Sequence, residues 1–189
     1  MDRLKRHIPL LVLALLLTAC EGENQYSTQY PCSFVFQAQY HTTSRLTLCL
    51  NNPGEFVMVS TQMKRGVTHL IVSPNNGNAE EDIPLTTAIE NERTSYQRMG
   101  AGGSLIIGCA TVGELRAYDR QCPNCLDQYG GRSYPLAWAD HGLHVSCQRC
   151  QRTYDLNGFV PACINGQEGD RPLLQYKTSF DGVRLYVHN

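Results

Sequence analysis

Short runs of β-branched and aromatic residues recur along this chain, and clusters of glycine, proline and asparagine separate them. This pattern is typical of β-strands joined by turns. It predicts ten strands, at Cys32–Gln37, Arg45–Leu50, Phe56–Ser60, Thr68–Val72, Ser104–Cys109, Leu115–Asp119, Leu143–Cys147, Thr153–Leu156, Leu173–Thr178 and Arg184–His188. The predicted fold class is all-β with long loops.

Two of the turn signals predict particular connections. Asn157-Gly158 lies between Tyr154–Leu156 and Phe159-Val160, which is a strong signal for a β-hairpin. Asp181-Gly182 marks a turn before the last strand. The apolar residues of Leu85–Arg98 are poorly spaced for an amphipathic helix, so we expect a loop or a short helix there.

The N-terminus has the pattern of an export signal. Basic residues precede an apolar run, Ile8–Leu17, which is too short to span a bilayer as a permanent helix. The sequence Leu17-Thr18-Ala19-Cys20 that follows resembles the lipobox of bacterial lipoproteins. The resemblance implies that residues 1–19 are a signal peptide and that acylated Cys20 anchors the chain to a membrane of the cell envelope, periplasmic or surface-exposed. The alternatives are an uncleaved membrane anchor or an ordinary secretory signal.

The rest of the chain is long enough for one domain with a real core. Residues 20–29 are polar and predict a tether, residues 30–99 an N-terminal β extension, and residues 100–189 the main domain. No linker signal separates 30–99 from 100–189, so both are expected in one body. Lysine plus arginine number 16 against 17 acidic residues, which excludes the basic footprint of a nucleic-acid binder.

Cysteine is the residue type that points to chemistry. The chain has nine, and eight remain once Cys20 is assigned to lipid. Four of these form two Cys-x-x-Cys motifs, Cys122–Cys125 (the first knuckle) and Cys147–Cys150 (the second knuckle). The other four are scattered singly, at Cys32, Cys49, Cys109 and Cys163.

Two knuckles at the tips of hairpins predict one closed site with four sulfur ligands. Such a site suits structural zinc and also iron. The predicted metal ligands are Cys122, Cys125, Cys147 and Cys150, and no catalytic residue is predicted. The alternative, in an exported protein, is that the same cysteines form disulfides within or between the two motifs.

Several residues beside the knuckles are candidate neighbours of the metal. Arg120, Arg149 and Arg152 are placed to offset the negative charge of four thiolates. His141 and His144 could ligate if one cysteine fails, but they are expected on the surface, because four cysteines already complete a tetrahedral site.

The knuckles also carry a resemblance to a known family. Leu115–Pro123, Val145–Gly158 and the tail from Pro161 to Val187 resemble the core of the Rieske ferredoxin and oxygenase-ferredoxin family. The resemblance covers about Gly100–Asn189. It implies a Rieske-like antiparallel β domain with a small two-knuckle metal-binding subdomain.

The ligands depart from that family. A Rieske centre is held by two cysteines and two histidines. Here Asn124 stands at the first histidine position and Cys150 at the second, while Cys125 adds a fourth thiolate. Asn124 is therefore expected beside the metal rather than on it. Cys163 falls in the loop that covers the cluster in the family, so the resemblance places it where it would shield the site or couple to it.

Three functions follow from these residues. The expected one is a lipid-anchored, non-catalytic protein with structural zinc. The first alternative is an electron-transfer protein with a [2Fe–2S] cluster or a mononuclear iron on four cysteines, serving an unknown redox partner. The second is a surface interaction module stapled by disulfides. Cys32, Cys49 and Cys109 suit buried small apolar positions, and a disulfide between two of them stays open.

Overall fold

A computed structural model of the protein describes residues 25–92, 95–131 and 133–189. The predicted signal peptide and the predicted lipid site at Cys20 lie outside these residues. Within the described ranges, no helix has the length and apolar character needed to cross a membrane.

Most strands belong to one large antiparallel sheet. In spatial order its nine strands are β4, β3, β2, β6, β7, β11, β12, β1 and β5. Their bounds are Cys32–Phe36 (β1), Phe56–Lys64 (β2), Val67–Pro74 (β3), Glu81–Pro84 (β4), Arg98–Met99 (β5), Ser104–Cys109 (β6), Leu115–Asp119 (β7), Gln175–Phe180 (β11) and Leu185–His188 (β12). Strands from 30–99 and from 100–189 therefore share one sheet.

A second, smaller sheet follows β7 in the chain. It contains Leu136–Ala139 (β8), His144–Cys147 (β9) and Thr153–Asp155 (β10), with β9 in the middle. The described residues also form two short α-helices, Arg45–Cys49 (α1) and Pro123–Tyr129 (α2). The mostly antiparallel β architecture agrees with the predicted fold class.

The small sheet packs against one face of the large sheet. Every residue of β6 is buried, because this central strand is covered on both faces. One core cluster contains Leu105 and Ile107 of β6, and Ile106 belongs to a separate cluster. That second cluster also contains residues of β8, β9 and β10 together with three cysteines of the knuckles. The cysteine-bearing elements thus rest directly on the large sheet.

The structure corrects the prediction of a strand at Arg45–Leu50. This segment forms α1, and the Ser44 hydroxyl caps it by accepting a hydrogen bond from the Thr47 N–H at 3.1 Å. Leu46 and Cys49 form its buried face. Their three-residue spacing and the capping serine are helical signals, which the β-branched and apolar composition of the segment obscured.

The predicted hairpin at Asn157-Gly158 is also wrong. Strand β10 ends at Asp155, and Tyr154 makes an isolated bridge to Cys163 rather than pairing with Phe159-Val160. The Asn157 side-chain oxygen instead accepts a hydrogen bond from the Thr111 N–H at 3.0 Å. By contrast, Asp181-Gly182 does join two paired strands, β11 and β12.

Other elements differ from the sequence-based expectation because they are short. Strands β4, β5 and β8 and helix α2 were not predicted. The described residues of Leu85–Arg98 contain no α-helix, and Arg98 begins β5.

The second half of the predicted tether lies against the domain. The Ser27 N–H donates to the Gln175 carbonyl at 2.8 Å, and the Asn189 side chain donates to the Ser27 carbonyl at 3.2 Å. These hydrogen bonds hold the segment around Ser27 beside the start of β11.

The contact between Gly142 and Asn75 ties the β8–β9 connection to the large sheet, and it predicts a sharp steric effect. Gly142 has φ of +86°, and a Cβ there would overlap the Asn75 carbonyl. Gly113 has a similar φ of +82° with no atom near its Cβ position. We expect Gly113→Ala to cost about 1–2 kcal/mol from left-handed strain alone, and Gly142→Ala to cost about 1–3 kcal/mol more from overpacking. Denaturant unfolding of both variants measures the difference, and equal losses would contradict the tight contact.

Candidate metal centre

The first knuckle joins β7 to α2. Cys122 is the residue before the helix, and Pro123 occupies the first helical position, where its missing N–H is not needed. The Leu126 N–H donates to the Cys122 carbonyl at 3.0 Å, which closes the first turn and brings Cys125 to the same side as Cys122. This knuckle is thus a helix start rather than the hairpin tip that the sequence predicted.

The second knuckle joins β9 to β10. Cys147 ends β9, and its carbonyl accepts a hydrogen bond from the Gln151 N–H at 2.8 Å. Its own N–H donates to the Arg152 carbonyl at 2.9 Å. Gln151 closes the turn with φ of +61°, a left-handed conformation that few residues other than glycine adopt. The chain reversal places Cys150 beside Cys147.

The two knuckles bring their four sulfurs into one compact group. The Sγ atoms of Cys122, Cys125, Cys147 and Cys150 all lie within 4.8 Å of one another. Cys122 and Cys150 are separated by 3.6 Å, and Cys125 and Cys147 by 3.7 Å. Each of these short distances joins one knuckle to the other, so the sulfurs form one site rather than two pairs.

These distances match the edges of a coordination tetrahedron. Zinc–sulfur bonds of about 2.3 Å give sulfur–sulfur edges of about 3.8 Å. A disulfide needs about 2.05 Å, and the eight described cysteines are free thiols. The four cysteines are therefore positioned to bind one metal ion.

Burial makes the sulfurs hard to ionise unless a cation is present. It raises the pKa of Cys122 to about 11 against the effect of hydrogen bonds from the Tyr154 hydroxyl and the Cys125 N–H. Burial also raises the pKa of Cys125, and the neighbouring thiols raise it further. Cys150 is the exception. Burial alone would raise its pKa, but hydrogen bonds from Arg152 and from the thiols of Cys122 and Cys125 lower it to about 7.

Arg152 is the cation that contacts this site. Its side chain lowers the pKa of the Cys150 thiol and forms an ion pair with Asp170 at 2.6 Å. Its Nε atom is buried and has no hydrogen-bond partner among the described residues. The Arg152 guanidinium thus supplies positive charge to a site that would carry negative charge when thiolates bind a metal.

Asn124 supports the first knuckle from outside the sulfur group. Its side-chain nitrogen donates to the Tyr154 hydroxyl at 2.8 Å, and that hydroxyl lies 3.5 Å from the Cys122 sulfur. Its side-chain oxygen accepts from the Arg171 N–H at 2.9 Å. Asn124 therefore links α2 to β10 and to the long β10–β11 connection.

The other predicted neighbours have other contacts. Arg120 donates to the Leu136 carbonyl at 3.1 Å, and Arg149 lies over the Tyr129 ring at 5.2 Å. The Cys163 thiol lies 3.3 Å from the Asn165 side-chain oxygen and outside the group of four sulfurs.

Both histidines also lie outside this group. His144 contacts Asp140 at 2.8 Å, and His141 occupies the turn between β8 and β9.

Sequence reasoning did not identify Asp170 or the hydroxyl of Tyr154 as parts of this site. Asp170 lies in a loop with no motif, so only the fold brings it to Arg152. Tyr154 is buried in the core, and its hydroxyl also contacts Cys122.

The raised thiol pKa values predict pH-dependent metal affinity. At pH 7–9 the Cys122 and Cys125 thiols are protonated in the metal-free protein, so binding must release at least two protons. The logarithm of the apparent zinc affinity should therefore rise by about two or more per pH unit. Chelator competition at several pH values measures this slope, and Cys163→Ser should leave it unchanged. A slope below one would contradict metal binding through two protonated thiols.

Comparisons with protein-family models, with curated proteins and with solved structures found no match for this chain. The Rieske resemblance thus stays a prediction from the sequence.

Proposed function

We propose that this chain is a lipid-anchored protein of the bacterial cell envelope, periplasmic or surface-exposed, in which four cysteines hold a structural zinc ion. The proposal of a metal site is supported by the four cysteine sulfurs, which all lie within 4.8 Å of one another. The anchor rests on Leu17-Thr18-Ala19-Cys20 and the apolar run before it. The protein itself is proposed to be non-catalytic.

The compactness of the sulfur group favours one ion over a cluster. A [2Fe–2S] cluster places two irons between two pairs of thiolates, so sulfurs on different irons stand much farther apart than a tetrahedral edge. All the sulfurs here lie within 4.8 Å of one another, which suits a single tetrahedral ion. Mononuclear iron on four cysteines satisfies the same distances and is the electron-transfer alternative.

The burial of the ligands favours a structural role. Cys122, Cys125 and Cys147 are buried, and Cys150 is half-buried. Structural zinc sites are closed by four protein ligands, whereas catalytic sites leave one position for water or substrate. Four thiolates around zinc leave no such position.

The ion would add a direct connection between two separate elements. The first knuckle starts α2, and the second connects β9 to β10. Zinc bound to both would hold α2 onto the small sheet, and the binding free energy would add directly to folding. A Rieske-like origin of this two-knuckle unit is part of the proposal and is supported by the motifs in Leu115–Pro123 and Val145–Gly158.

Removing one ligand tests the structural role. Cys150→Ser is the mildest ligand substitution, because Cys150 is the least buried of the four. We expect it to release zinc and to lower the melting temperature by about 10 °C or more, since metal binding contributes to folding. Elemental analysis and thermal unfolding are the measurements. Cys163→Ser is the matched control, because Cys163 is a half-buried free thiol outside the sulfur group.

Other outcomes of these measurements identify the competing functions. A coloured protein with one iron per chain and reversible reduction would replace zinc by the electron carrier, and two irons per chain would contradict the geometric argument. Metal-free protein with all four cysteines oxidised would support the disulfide-stapled module instead.

The anchor has its own test. Cys20→Ala should abolish incorporation of labelled fatty acid and leave the signal peptide uncleaved by the lipoprotein peptidase, because the acylated thiol marks the cleavage site in this class of protein. Mass spectrometry of the membrane-extracted protein measures both effects. Unmodified Cys20 in that sample would contradict the proposal, whatever the metal content.

A further inference from the structure

The long connection between β10 and β11 exposes an apolar tip. Phe159 is 94% exposed and Val160 is 57% exposed. The two residues border a cavity of about 280 Å³ whose other apolar walls are Pro161, Pro172 and Leu173. Burying a phenylalanine side chain is worth about 1.5–3 kcal/mol, so an exposed tip beside an apolar cavity indicates a surface that something covers.

The tip is held in place by the body of the fold. The Arg116 guanidinium donates to the carbonyls of Leu156 at 3.3 Å and Gly158 at 2.5 Å. Arg116 is itself fixed by Glu114 at 2.8 Å. On the far side of the tip, the Leu173 N–H donates to the Pro161 carbonyl at 2.9 Å. The exposed side chains therefore project from a fixed loop, and little ordering entropy remains to be lost on insertion.

The N-terminal segment enters the fold at the same place. Gln25 lines the cavity beside Phe159 and Val160, and the Ser27 N–H is bonded to the Gln175 carbonyl at 2.8 Å. Only four residues, Glu21–Asn24, lie between Cys20 and Gln25. The five steps from Cys20 to Gln25 span at most about 18 Å when the chain is fully extended, so a lipid on Cys20 keeps this cavity close to the bilayer surface.

We infer that Phe159 and Val160 insert into the bilayer to which Cys20 is anchored and so fix how the domain stands on the membrane. The inference rests on the proposed lipid anchor and specifies the surface that accompanies it. Both side chains are uncharged, so the interaction is with the acyl-chain boundary rather than with charged headgroups. Neutral phosphatidylcholine is therefore a sufficient probe.

The test uses the mature acylated protein in phosphatidylcholine vesicles whose acyl chains carry bromine, a contact quencher of tryptophan fluorescence. Phe159→Trp places the reporter at the tip, and the signal of Trp138 is measured in the unsubstituted protein and subtracted. Met63→Trp is the control, because Met63 is also well exposed, at 64%, but lies near the β2–β3 turn. We expect brominated lipid to reduce the emission at position 159 about twofold or more and to leave the emission at position 63 nearly unchanged.

Aqueous acrylamide separates the remaining outcomes. A tip quenched by acrylamide and not by brominated lipid lies in water, and a tip shielded from both is covered by protein; either result overturns the insertion while the anchor stands. Absence of acyl mass on Cys20 overturns the anchor and the insertion together. Zinc content and melting temperature equal to those of the unsubstituted protein show that the fluorescence difference does not come from misfolding.

Discussion

Electrostatic repulsion among four close sulfurs is the constraint on which this structure depends. Two unit charges about 4 Å apart repel by about 4 kcal/mol at an effective dielectric constant of 20, and all four sulfurs lie within 4.8 Å of one another. Burial is the larger cause of the raised pKa values of Cys122 and Cys125, and the neighbouring thiols add to it, so without a cation these two thiols stay protonated near neutral pH. A metal cation would turn this repulsion into coordination. The two knuckles are thus positioned to bind a metal ion.

The fold supplies a rigid base for the first knuckle. Asp119, at the end of β7, is fully buried and accepts hydrogen bonds from the Gln121 N–H and the Tyr176 hydroxyl, each at 2.8 Å. Burial raises the pKa of this carboxyl, and the hydrogen bonds oppose the rise. The Gln121 side chain in turn accepts from the Tyr134 N–H at 2.5 Å, just after α2. These hydrogen bonds fix the backbone next to Cys122. The large sheet therefore determines the position of the first knuckle.

The parts of the fold that could be predicted from sequence are those with short-range signals. The strands around the buried runs Ser104–Cys109 and Leu115–Asp119 follow from composition, and the four ligands follow from the spacing of two motifs. The strand prediction for Arg45–Leu50 was wrong because six residues carry too little periodicity to separate helix from strand. The Asn157-Gly158 hairpin failed because Arg116, distant in sequence, binds the loop carbonyls in place of a partner strand. Asp170 was missed for a similar reason, since only tertiary structure pairs it with Arg152.

The β10–β11 connection serves both proposed roles, and its anchoring points keep them separate. Near its start, Arg116 of the large sheet holds the carbonyls of Leu156 and Gly158, next to the apolar tip. Near its end, Asp170 pairs with Arg152 of the metal centre, and the Arg171 N–H bonds the side chain of Asn124. Loss of the metal would therefore loosen the end of the connection first, while the tip keeps its contacts to Arg116. The two sets of contacts come from different elements. A change at the metal centre is therefore expected to leave the proposed membrane contact in place, although one loop takes part in both.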